Sequence, residues 1–222
     1  MKKDVVLIGA TGYVGSAILN ELLQRGDKVT AIVRNAGKLV DNKNPNLTVV
    51  EGDATNSSFL ASVAKGKDAV ISAFNSGWSN PNQYADNISG NEKIIEGVKE
   101  SGVKRFLQVG GAGALFIKPG VRIYEAGIIP EESLGPVKAM AEIYLNMLPE
   151  KAKELDWVHL MPAANLGNRK AGVRTGKYRT SDDTMLVDDK GDNFISVEDY
   201  AVAMVDELES PKHHSEGFSV AY

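Results

Sequence analysis

The chain has 222 residues, 43% of them hydrophobic, and a formal net charge of −4. It contains no cysteine, which excludes disulfides, iron–sulfur clusters and thiol catalysis. The weak negative charge argues against nucleic acid or an anionic membrane as the main partner, and no apolar run reaches the roughly 18–20 residues of a membrane span.

Short runs rich in β-branched residues alternate with longer helical patterns. We predict strands at Asp4–Gly9, Lys28–Arg34, Asn46–Asp53, Asp68–Phe74, Lys104–Gly111 and Asp156–Ala163. We predict helices at Tyr13–Arg25, Ser57–Lys65, Tyr84–Ser101 and Leu134–Glu154. Strands that are apolar along their length and alternate with helices are typical of a parallel sheet covered on both faces. The predicted fold class is α/β, with a Rossmann-type, doubly wound parallel sheet.

The pattern changes after Ala163. Residues 165–190 are rich in Gly, Arg, Asp and Thr, and we predict loops there with short strands around Val173–Thr180 and Thr184–Asp189. A helix follows over residues 196–210, with Ser196 as its cap and Asp199 completing a variant capping box, and residues 217–222 form a last strand. We predict one domain, residues 1–222, with a dinucleotide-binding core to about residue 163 and a small substrate-side cap region beyond it.

Three glycines, Gly9, Gly12 and Gly15, lie between the first strand and the first helix. A helix N-terminus there offers free N–H groups and a positive dipole end, and small residues allow a pyrophosphate to approach the backbone. We expect side chains at Gly9 or Gly12 to block the pyrophosphate and one at Gly15 to push the helix away from the sheet. The alternative is a tight turn without a ligand. The predicted contacts are Gly9, Thr11, Gly12, Tyr13, Val14 and Gly15.

The end of the second strand indicates which dinucleotide binds. An NAD site usually has Asp or Glu there, whereas this chain has Arg34, with Lys38 one turn later. A guanidinium can clamp a 2′-phosphate but cannot accept hydrogen bonds from ribose hydroxyls. We therefore predict that NADP(H) is preferred over NAD(H); the alternative is a solvated arginine at a strand end.

Further cofactor contacts are expected where the third and fourth strands end. Asp53 can accept from the adenine amino group beside the Ala54 backbone, or it can cap the next helix, a role that Thr55 could also fill. The backbone of Ala73, Phe74 and Asn75 is expected to line the middle of the cofactor. Trp78 either covers a ring-shaped substrate or only covers the sheet.

The stretches GATGYVG, VEGDATN, QVGGAGAL and FISVEDYAVAMVDELE resemble the atypical short-chain dehydrogenase/reductases. They are most similar to the NAD(P)H-binding NADH-flavin reductase group, which is akin to flavin/biliverdin reductase and NmrA-type sensors and is often labelled NAD-dependent epimerase/dehydratase. The resemblance covers essentially the whole chain and implies a Rossmann fold with bound NADP. It also implies that Pro162 and Ala163 lie against the nicotinamide carboxamide, unless this pair only ends the strand.

Ordinary members of that superfamily use a Tyr-x-x-x-Lys pair and a Ser. By this resemblance Lys138 takes the lysine place as the catalytic candidate, or is a plain surface lysine. Leu134 stands in the tyrosine place, and Gly110, Gly111 and Gly113 occupy the serine region. Tyr124 has the wrong spacing to replace the tyrosine. Ketone reduction needs a proton donor, whereas hydride transfer to a flavin needs mainly two stacked rings.

We therefore expect an NAD(P)H-dependent reductase of a flavin or quinone-like acceptor. The alternatives are a non-catalytic NADP(H)-binding redox sensor and, third, a sugar-nucleotide epimerase or dehydratase. The long segment Ala114–Ser133 has no obvious element and is a candidate substrate lid. The basic segment Arg169–Arg179 is either a solvated loop or a contact for a flavin phosphate.

The remaining expectations concern location and partners. The apolar run behind Lys2 and Lys3 is interrupted by Asp4 and lacks a cleavage site, so we expect a cytoplasmic protein. The three histidines, His159, His213 and His214, lack metal-ligand spacing, so no metal is expected. The expected partner is a small-molecule acceptor, with no nucleic acid and no membrane; the pattern leaves the oligomeric state open.

Overall fold

A computed structural model describes residues 2–77, 80–167 and 172–222 of the chain. Its strands are β1 (Asp4–Ile8), β2 (Lys28–Val33), β3 (Leu47–Glu51), β4 (Ala69–Ser72), β5 (Arg105–Val109), β6 (Phe116–Lys118), β7 (Val121–Arg122), β8 (Asp156–Pro162), β9 (Asn165–Leu166), β10 (Arg179–Ser181), β11 (Phe194–Ile195) and β12 (Glu216–Ala221). Its α-helices are α1 (Tyr13–Arg25), α2 (Ser57–Ala64), α3 (Gln83–Ser101), α4 (Glu131–Glu142), α5 (Leu148–Lys151) and α6 (Val197–Glu209).

The central sheet has eight strands in the order β3-β2-β1-β4-β5-β8-β12-β10. β10 is antiparallel to β12, and the other neighbouring strands pair in parallel. From β1 the chain proceeds to β2 and β3 on one side and then returns to β4 on the other. This confirms the predicted doubly wound Rossmann sheet and places its switch point between β1 and β4.

Alternation along the strands divides the core into two layers. Val5 and Leu7 of β1 pack on the side that also holds Leu22 of α1 and Tyr200 of α6. The intervening residues, Val6 among them, pack on the other side with side chains from α2, α3 and the α4–α5 region. Both faces of the sheet are therefore buried, as the continuous apolar strands predict.

The C-terminal region adds strands to the central sheet and a helix to one of its faces. β12 pairs in parallel with β8 inside the sheet, and α6 packs against α1. Ser196 caps α6 by accepting from the Asp199 amide at 3.1 Å. The Asp199 carboxylate does not complete the predicted capping box, because it accepts from Thr175 and Gly176 instead. The region after residue 163 thus supplies core elements as well as loops at the carboxyl edge.

Two segments differ from their predictions. Ala114–Ser133 contains the hairpin β6–β7, and α4 begins at Glu131 rather than Leu134. α4 continues through a π-helical turn, Ile143–Met147, into α5. The predicted strand at Thr184–Asp189 is wrong: Thr184 makes only an isolated bridge to Phe116.

No helix in the described ranges is long and apolar enough to cross a membrane.

Candidate functional site

The candidate site lies at the carboxyl edge of the parallel strands, where the loops after β1, β4, β5 and β8 meet. In doubly wound sheets ligands bind at this edge, beside the switch point. Ala73, which follows β4, donates its N–H to the Ile8 carbonyl at 3.0 Å. This bond joins the loops after β1 and β4 across the switch point.

Two of the three motif glycines are required by backbone packing. Gly9 has φ +80°, and a Cβ on it would lie 2.5 Å from the Ala73 carbonyl oxygen. A Cβ on Gly15 would overlap the Gly9 carbonyl. The predicted reason for Gly9 is therefore incomplete, because a side chain there first meets the protein itself. At Gly12 the nearest atom to a Cβ is the Gly9 oxygen at 3.3 Å, a tight contact that a small shift can relieve, so ligand approach stays the predicted reason for this glycine.

The N-terminus of α1 fits an anion. Gly12 is its N-cap, makes no side-chain hydrogen bond, and is followed by no acidic residue in the first turn. A helix N-terminus that no side chain of its own cap residue covers, and whose first turn carries no carboxylate, is what a pyrophosphate site requires. Thr11, Gly12 and Tyr13 are exposed, and Val14 packs partly against the core.

Tyr13 lies beside the segment that follows β9. A Cβ on Gly167 would overlap its hydroxyl oxygen. Burial, and secondarily the Glu198 carboxylate, raise the pKa of Tyr13 above its ordinary value. The phenol is therefore neutral at physiological pH.

Arg34 and Lys38 are exposed beyond the end of β2. Neither side chain makes a hydrogen bond or ion pair within the described part of the chain, so both charged groups are available to a 2′-phosphate. The loop between them is held by its own polar groups, since Asn35 Oδ1 accepts from the Gly37 N–H at 2.9 Å.

Glu51 is a neighbour of this loop that the sequence analysis missed. Its Oε2 accepts from the Ala36 N–H at 2.7 Å, and it pairs in register with Val33. A carboxylate therefore lies against the loop that carries Arg34. The sequence shows that Glu51 ends the third strand, but only the pairing of β2 with β3 shows which loop it lies against.

Asp53 does not cap α2. Asn56 does so, by accepting from the Phe59 N–H at 3.1 Å, and the alternative of Thr55 as the cap is also wrong. Asp53 Oδ1 instead accepts from the N–H and hydroxyl of Thr55, at 2.9 and 2.7 Å. Its Oδ2 makes no hydrogen bond within the described ranges, and Ala54 beside it is buried. The adenine contact remains the prediction for this pair.

Side-chain hydrogen bonds fix the position of the loop after β4. Asn75 Oδ1 accepts from the Gly77 N–H at 2.8 Å and from Gln83 Nε2 at 3.2 Å. The Phe74 ring packs on Gly90 of α3, where a Cβ would lie 2.5 Å away. Trp78, the candidate ring contact, lies outside the described residues.

The glycines after β5 are tightly packed against the protein. A Cβ on Gly110 would lie 2.6 Å from the His159 ring, and one on Gly111 would lie 3.0 Å from Met140 Cβ. One on Gly113 would overlap Val137 of α4. Packing therefore leaves no room for a serine side chain at Gly110 or Gly113 without a shift of the surroundings.

The remaining positions considered for catalysis lie on and before α4. Lys138 is exposed, and its side chain makes no hydrogen bond or ion pair in the described structure. Leu134 is half-buried, in the place of the usual tyrosine. The Tyr124 hydroxyl donates to Glu125 Oε1 at 3.0 Å, and burial raises its pKa above the ordinary value.

Pro162 and Ala163 end β8 at the same edge. Pro162 is paired with Val220 of β12, and Ala163 is buried. The following residue, Ala164, donates its N–H to Asn193 Oδ1 at 2.5 Å. Asn193, which the sequence analysis missed, therefore fixes where the chain goes after the Pro-Ala pair.

The described part of the basic segment is used inside the protein. Arg174 pairs with Glu21 at 2.7 Å, and Arg179 donates to the Val187 carbonyl at 2.8 Å. Arg169 and Lys170 lie outside the described residues. No cluster of potential metal ligands occurs in the described ranges.

Comparisons with known proteins agree with this geometry. Residues 9–211 match the NAD(P)H-binding family. The uncharacterized protein YwnB of Bacillus subtilis (strain 168) is 36% identical over 216 residues, which are 96% of either chain.

Two solved structures extend the comparison. A Bacteroides thetaiotaomicron protein provisionally named an epimerase has a TM-score of 0.91 and 51% identity, covering 100% of this chain and 98% of that chain. A Streptococcus pneumoniae protein provisionally named an NADH-flavin reductase has a TM-score of 0.82 and 33% identity, covering 99% of both chains. The chain therefore belongs to the NAD(P)H-binding family, among the Rossmann proteins related to the atypical short-chain dehydrogenase/reductases.

Proposed function

We propose that this protein is an NADP(H)-dependent oxidoreductase that transfers a hydride to a planar conjugated acceptor of the flavin or quinone class. The observation that carries the proposal is the packing around Gly110 and Gly113. It leaves no room for a serine hydroxyl, and Leu134 stands in place of the usual tyrosine. The site thus lacks the proton donors of an ordinary carbonyl reductase.

NADPH, when bound, supplies a hydride from its nicotinamide ring. Gly12 and the first-turn N–H groups of α1 hold the pyrophosphate, and Arg34 with Lys38 holds the 2′-phosphate. Asp53 accepts from the adenine amino group. The loop after β4, Ala73–Asn75, lines the middle of the cofactor, and the described loops after β5 and β8 line its nicotinamide end with Gly110–Gly111 and Pro162–Ala163. Lys138 is the candidate contact to the nicotinamide ribose.

The absence of the usual tyrosine and serine favours a flavin or quinone over a ketone as the acceptor. Reduction of a ketone leaves an alkoxide, and loss of a positioned acid costs about 10²–10⁴ in rate. In a flavin or quinone the added charge spreads over the ring system, and the proton can come from solvent. The protein then needs mainly to hold two rings in contact, which is catalysis by proximity.

The rim of the site supports a flat apolar acceptor. Tyr84, at the start of α3, is 46% exposed, and Ile128, before α4, is 66% exposed. Both lie at the carboxyl edge. Leu115, Ile123 and Met161 belong to a small buried apolar cluster near the hairpin β6–β7. Exposed apolar side chains at a ligand-binding edge suit a ring-shaped ligand.

The names of the two structural neighbours suggest two different reactions. The Streptococcus pneumoniae name agrees with flavin reduction. Epimerisation, in the Bacteroides thetaiotaomicron name, requires proton transfer at carbon or oxygen, for which this site has no evident hydroxyl acid. We therefore rank epimerisation third among the three candidate functions.

The test is stopped-flow absorbance of NADPH at saturating protein, with free flavin mononucleotide or a simple benzoquinone as the acceptor. We expect oxidation at least about 100-fold above the protein-free rate, because bound reactants gain the advantage of proximity. The control is the same protein with a saturated ketone, which we expect not to be reduced above background. Tight NADPH binding without oxidation of either acceptor would instead favour the redox sensor.

We propose a cytoplasmic location and a small molecule as the only partner needed for the reaction. The cysteine-free composition suits a reducing compartment. Cell fractionation with an antibody to the chain tests the location.

A further inference from the structure

A chain of buried polar side chains lies beneath the candidate site. It runs from His159 in β8 through Gln108 in β5 to Asn91 in α3, which donates to the backbone carbonyl of Asn87. The Asn87 side chain makes a separate contact with the loop after β4. All four side chains are at most 2% exposed. Their contacts are His159 Nδ1 to Gln108 Oε1 at 2.8 Å, Gln108 Nε2 to Asn91 Oδ1 at 2.6 Å and Asn91 Nδ2 to the Asn87 carbonyl at 2.8 Å.

A backbone group determines the direction of every bond in this chain. The Asn87 carbonyl can only accept, so the donor facing it is the Asn91 amide nitrogen. Asn91 Oδ1 must then accept from Gln108 Nε2, and Gln108 Oε1 must accept from His159 Nδ1–H. His159 is thereby held as the Nδ1–H tautomer with a lone pair on Nε2. Burial lowers the pKa of His159 to about 3, which keeps the ring neutral at physiological pH.

The two ends of the chain reach the loops of the candidate site. Asn87 Oδ1 accepts from the Ser76 N–H at 2.9 Å and so holds the loop after β4. At the other end, His159 Nε2 would lie 2.6 Å from a Cβ on Gly110, directly after β5. These two loops are assigned above to the middle of the cofactor and to its nicotinamide end.

A buried polar atom without a hydrogen-bond partner lies at each end of this chain of contacts. His159 Nε2 and Asn87 Nδ2 are buried and have no hydrogen-bond partner within the described residues. Buried polar groups without partners are costly and call for an explanation. Within the described residues Asp27, Arg105 and Glu198 carry such atoms as well.

The same helix also buries aliphatic side chains, which shows that amides are not needed to pack α3 against the sheet. Farther from the carboxyl edge, α3 buries Ile94, Ile95 and Val98 against the sheet. The amides occupy only the part of α3 nearest the edge, where the cofactor is expected. Requirements of the fold alone would be met by aliphatic side chains there as well.

We propose that Asn87, Asn91, Gln108 and His159 are positioning residues for the nicotinamide end of the cofactor site. They hold the loop at Ser76 and the strand end at Gly110 at one separation, so that the nicotinamide ring lies in one place between them. The inference rests on the proposed NADP(H) site and adds a set of residues that do not touch the cofactor themselves.

The main test is Asn91→Leu, which breaks the chain in its middle with a side chain of similar size. The ligands are NADPH and adenosine 2′,5′-bisphosphate, which contains only the adenosine end. We expect NADPH oxidation to slow about 10- to 100-fold, the cost of a small misplacement of a reacting ring. Affinity for adenosine 2′,5′-bisphosphate should change less than about twofold, because its contacts are distant from Asn91. The fluorescence of bound NADPH should shift toward that of the free cofactor.

The matched control is Ile95→Val, on the same helix. It removes one buried methyl group farther from the edge and should lower the melting temperature without changing NADPH oxidation or fluorescence. Should Asn91→Leu fail to fold, Gln108→Met provides the same break with an unbranched side chain of equal length. For Gln108→Met we expect the same result, namely slower NADPH oxidation with nearly unchanged affinity for adenosine 2′,5′-bisphosphate.

The outcomes distinguish this inference from the proposed function. If the wild type binds NADPH but reduces no acceptor, the reductase proposal fails, while fluorescence and the two affinities still decide the positioning role. Equal losses for NADPH and adenosine 2′,5′-bisphosphate would show a purely structural role and overturn the inference. So would unchanged NADPH fluorescence and unchanged oxidation in a folded Asn91→Leu protein.

Discussion

At the end of β2 two opposite charges lie close to one loop. Arg34 is exposed and unpaired within the described residues, while the Glu51 carboxylate holds the Ala36 N–H. A 2′-phosphate bound by Arg34 would gain from the guanidinium and lose from the nearby carboxylate. The selectivity for NADPH is then a balance of these two side chains, and each can be altered separately.

Replacing the cation should reduce this selectivity. We expect Arg34→Asp to weaken NADPH binding about 10- to 150-fold relative to NADH, since one charge-assisted contact is worth about 1.5–3 kcal/mol. Fluorescence titration with both cofactors measures the ratio. Lys65→Asp makes the same charge change beyond the far end of α2 and serves as the control. Equal NADPH affinity in Arg34→Asp and wild type would refute the assignment.

Replacing the carboxylate should act in the opposite direction. Glu51→Gln keeps an oxygen for the Ala36 N–H and removes only the charge. We expect NADPH to bind up to about fivefold more tightly, the range of an exposed charge interaction, and the gain to shrink at high salt. A loss of NADPH affinity in this variant would show that Glu51 supports the loop without opposing the phosphate.

The sequence could predict single site residues where one residue type serves one purpose. The glycine loop and Arg34 are such positions, since each follows directly from its place after a strand. Glu51 and His159 could not be found in this way. Their roles depend on which strands are neighbours, and Gln108 meets His159 only because β5 pairs with β8.

Among the elements, α1 depends on its glycines in two different ways. Gly15 faces the Gly9 carbonyl inside the protein, whereas Gly12 is exposed at the helix N-terminus. The motif therefore combines a packing requirement with a binding requirement. Alanine substitutions should separate the two.

We expect Gly15→Ala to destabilise the fold by about 1–3 kcal/mol, because the methyl group overlaps a backbone carbonyl. Gly12→Ala should cost less than about 1 kcal/mol in stability but weaken NADPH binding by about tenfold. Thermal unfolding without ligand and NADPH titration measure the two effects. If Gly12→Ala lowered stability as much as Gly15→Ala and left NADPH affinity unchanged, the separation would be wrong.

Element boundaries were predictable where local chemistry marks them. α1 spans Tyr13–Arg25 as predicted, because Gly12 begins it and Gly26, at φ 82°, ends it. The hairpin β6–β7 was missed because its strands have only three and two residues. The segment Thr184–Asp189 is no strand because Asp188 Oδ1 accepts from the N–H groups of Lys190 and Asp192, which turns the chain.

At the scale of the whole molecule, one buried carboxylate ties distant segments together. Glu21 on α1 is 4% exposed and pairs with Arg25 at 2.6 Å and with Arg174 at 2.7 Å. Arg25 also pairs with Asp206 at 2.7 Å, on α6. The first helix, the last helix and the segment between β9 and β10 thus share one ion-pair network.

This network should make stability depend on pH. The Arg174 guanidinium, opposed by burial and aided by Arg25, lowers the pKa of Glu21 below its ordinary value of 4.5. Its contribution is therefore present above about pH 4.5 and is lost as the pH falls through the lower value of the folded state. We expect Glu21→Gln to lower the melting temperature by about 4–8 °C at neutral pH.

The difference between Glu21→Gln and wild type should disappear in acid. Melting curves across that range, with the exposed Glu100→Gln as the control, measure this. A gap that stayed constant down to the lowest pH at which the protein folds would mean that packing, not charge, accounts for the effect of Glu21.

The contact of Gly15 with Gly9, and of Gly9 with Ala73, has a consequence for how such motifs are interpreted. A descendant of this protein that had lost its nucleotide would still be selected to keep Gly9 and Gly15, because the strand, the turn and the helix cannot otherwise close upon one another. Only Gly12 would be free to vary. If Gly12 holds the pyrophosphate as proposed, the middle glycine is the position that would separate chains of this spacing that still bind a dinucleotide from those that retain only the architecture.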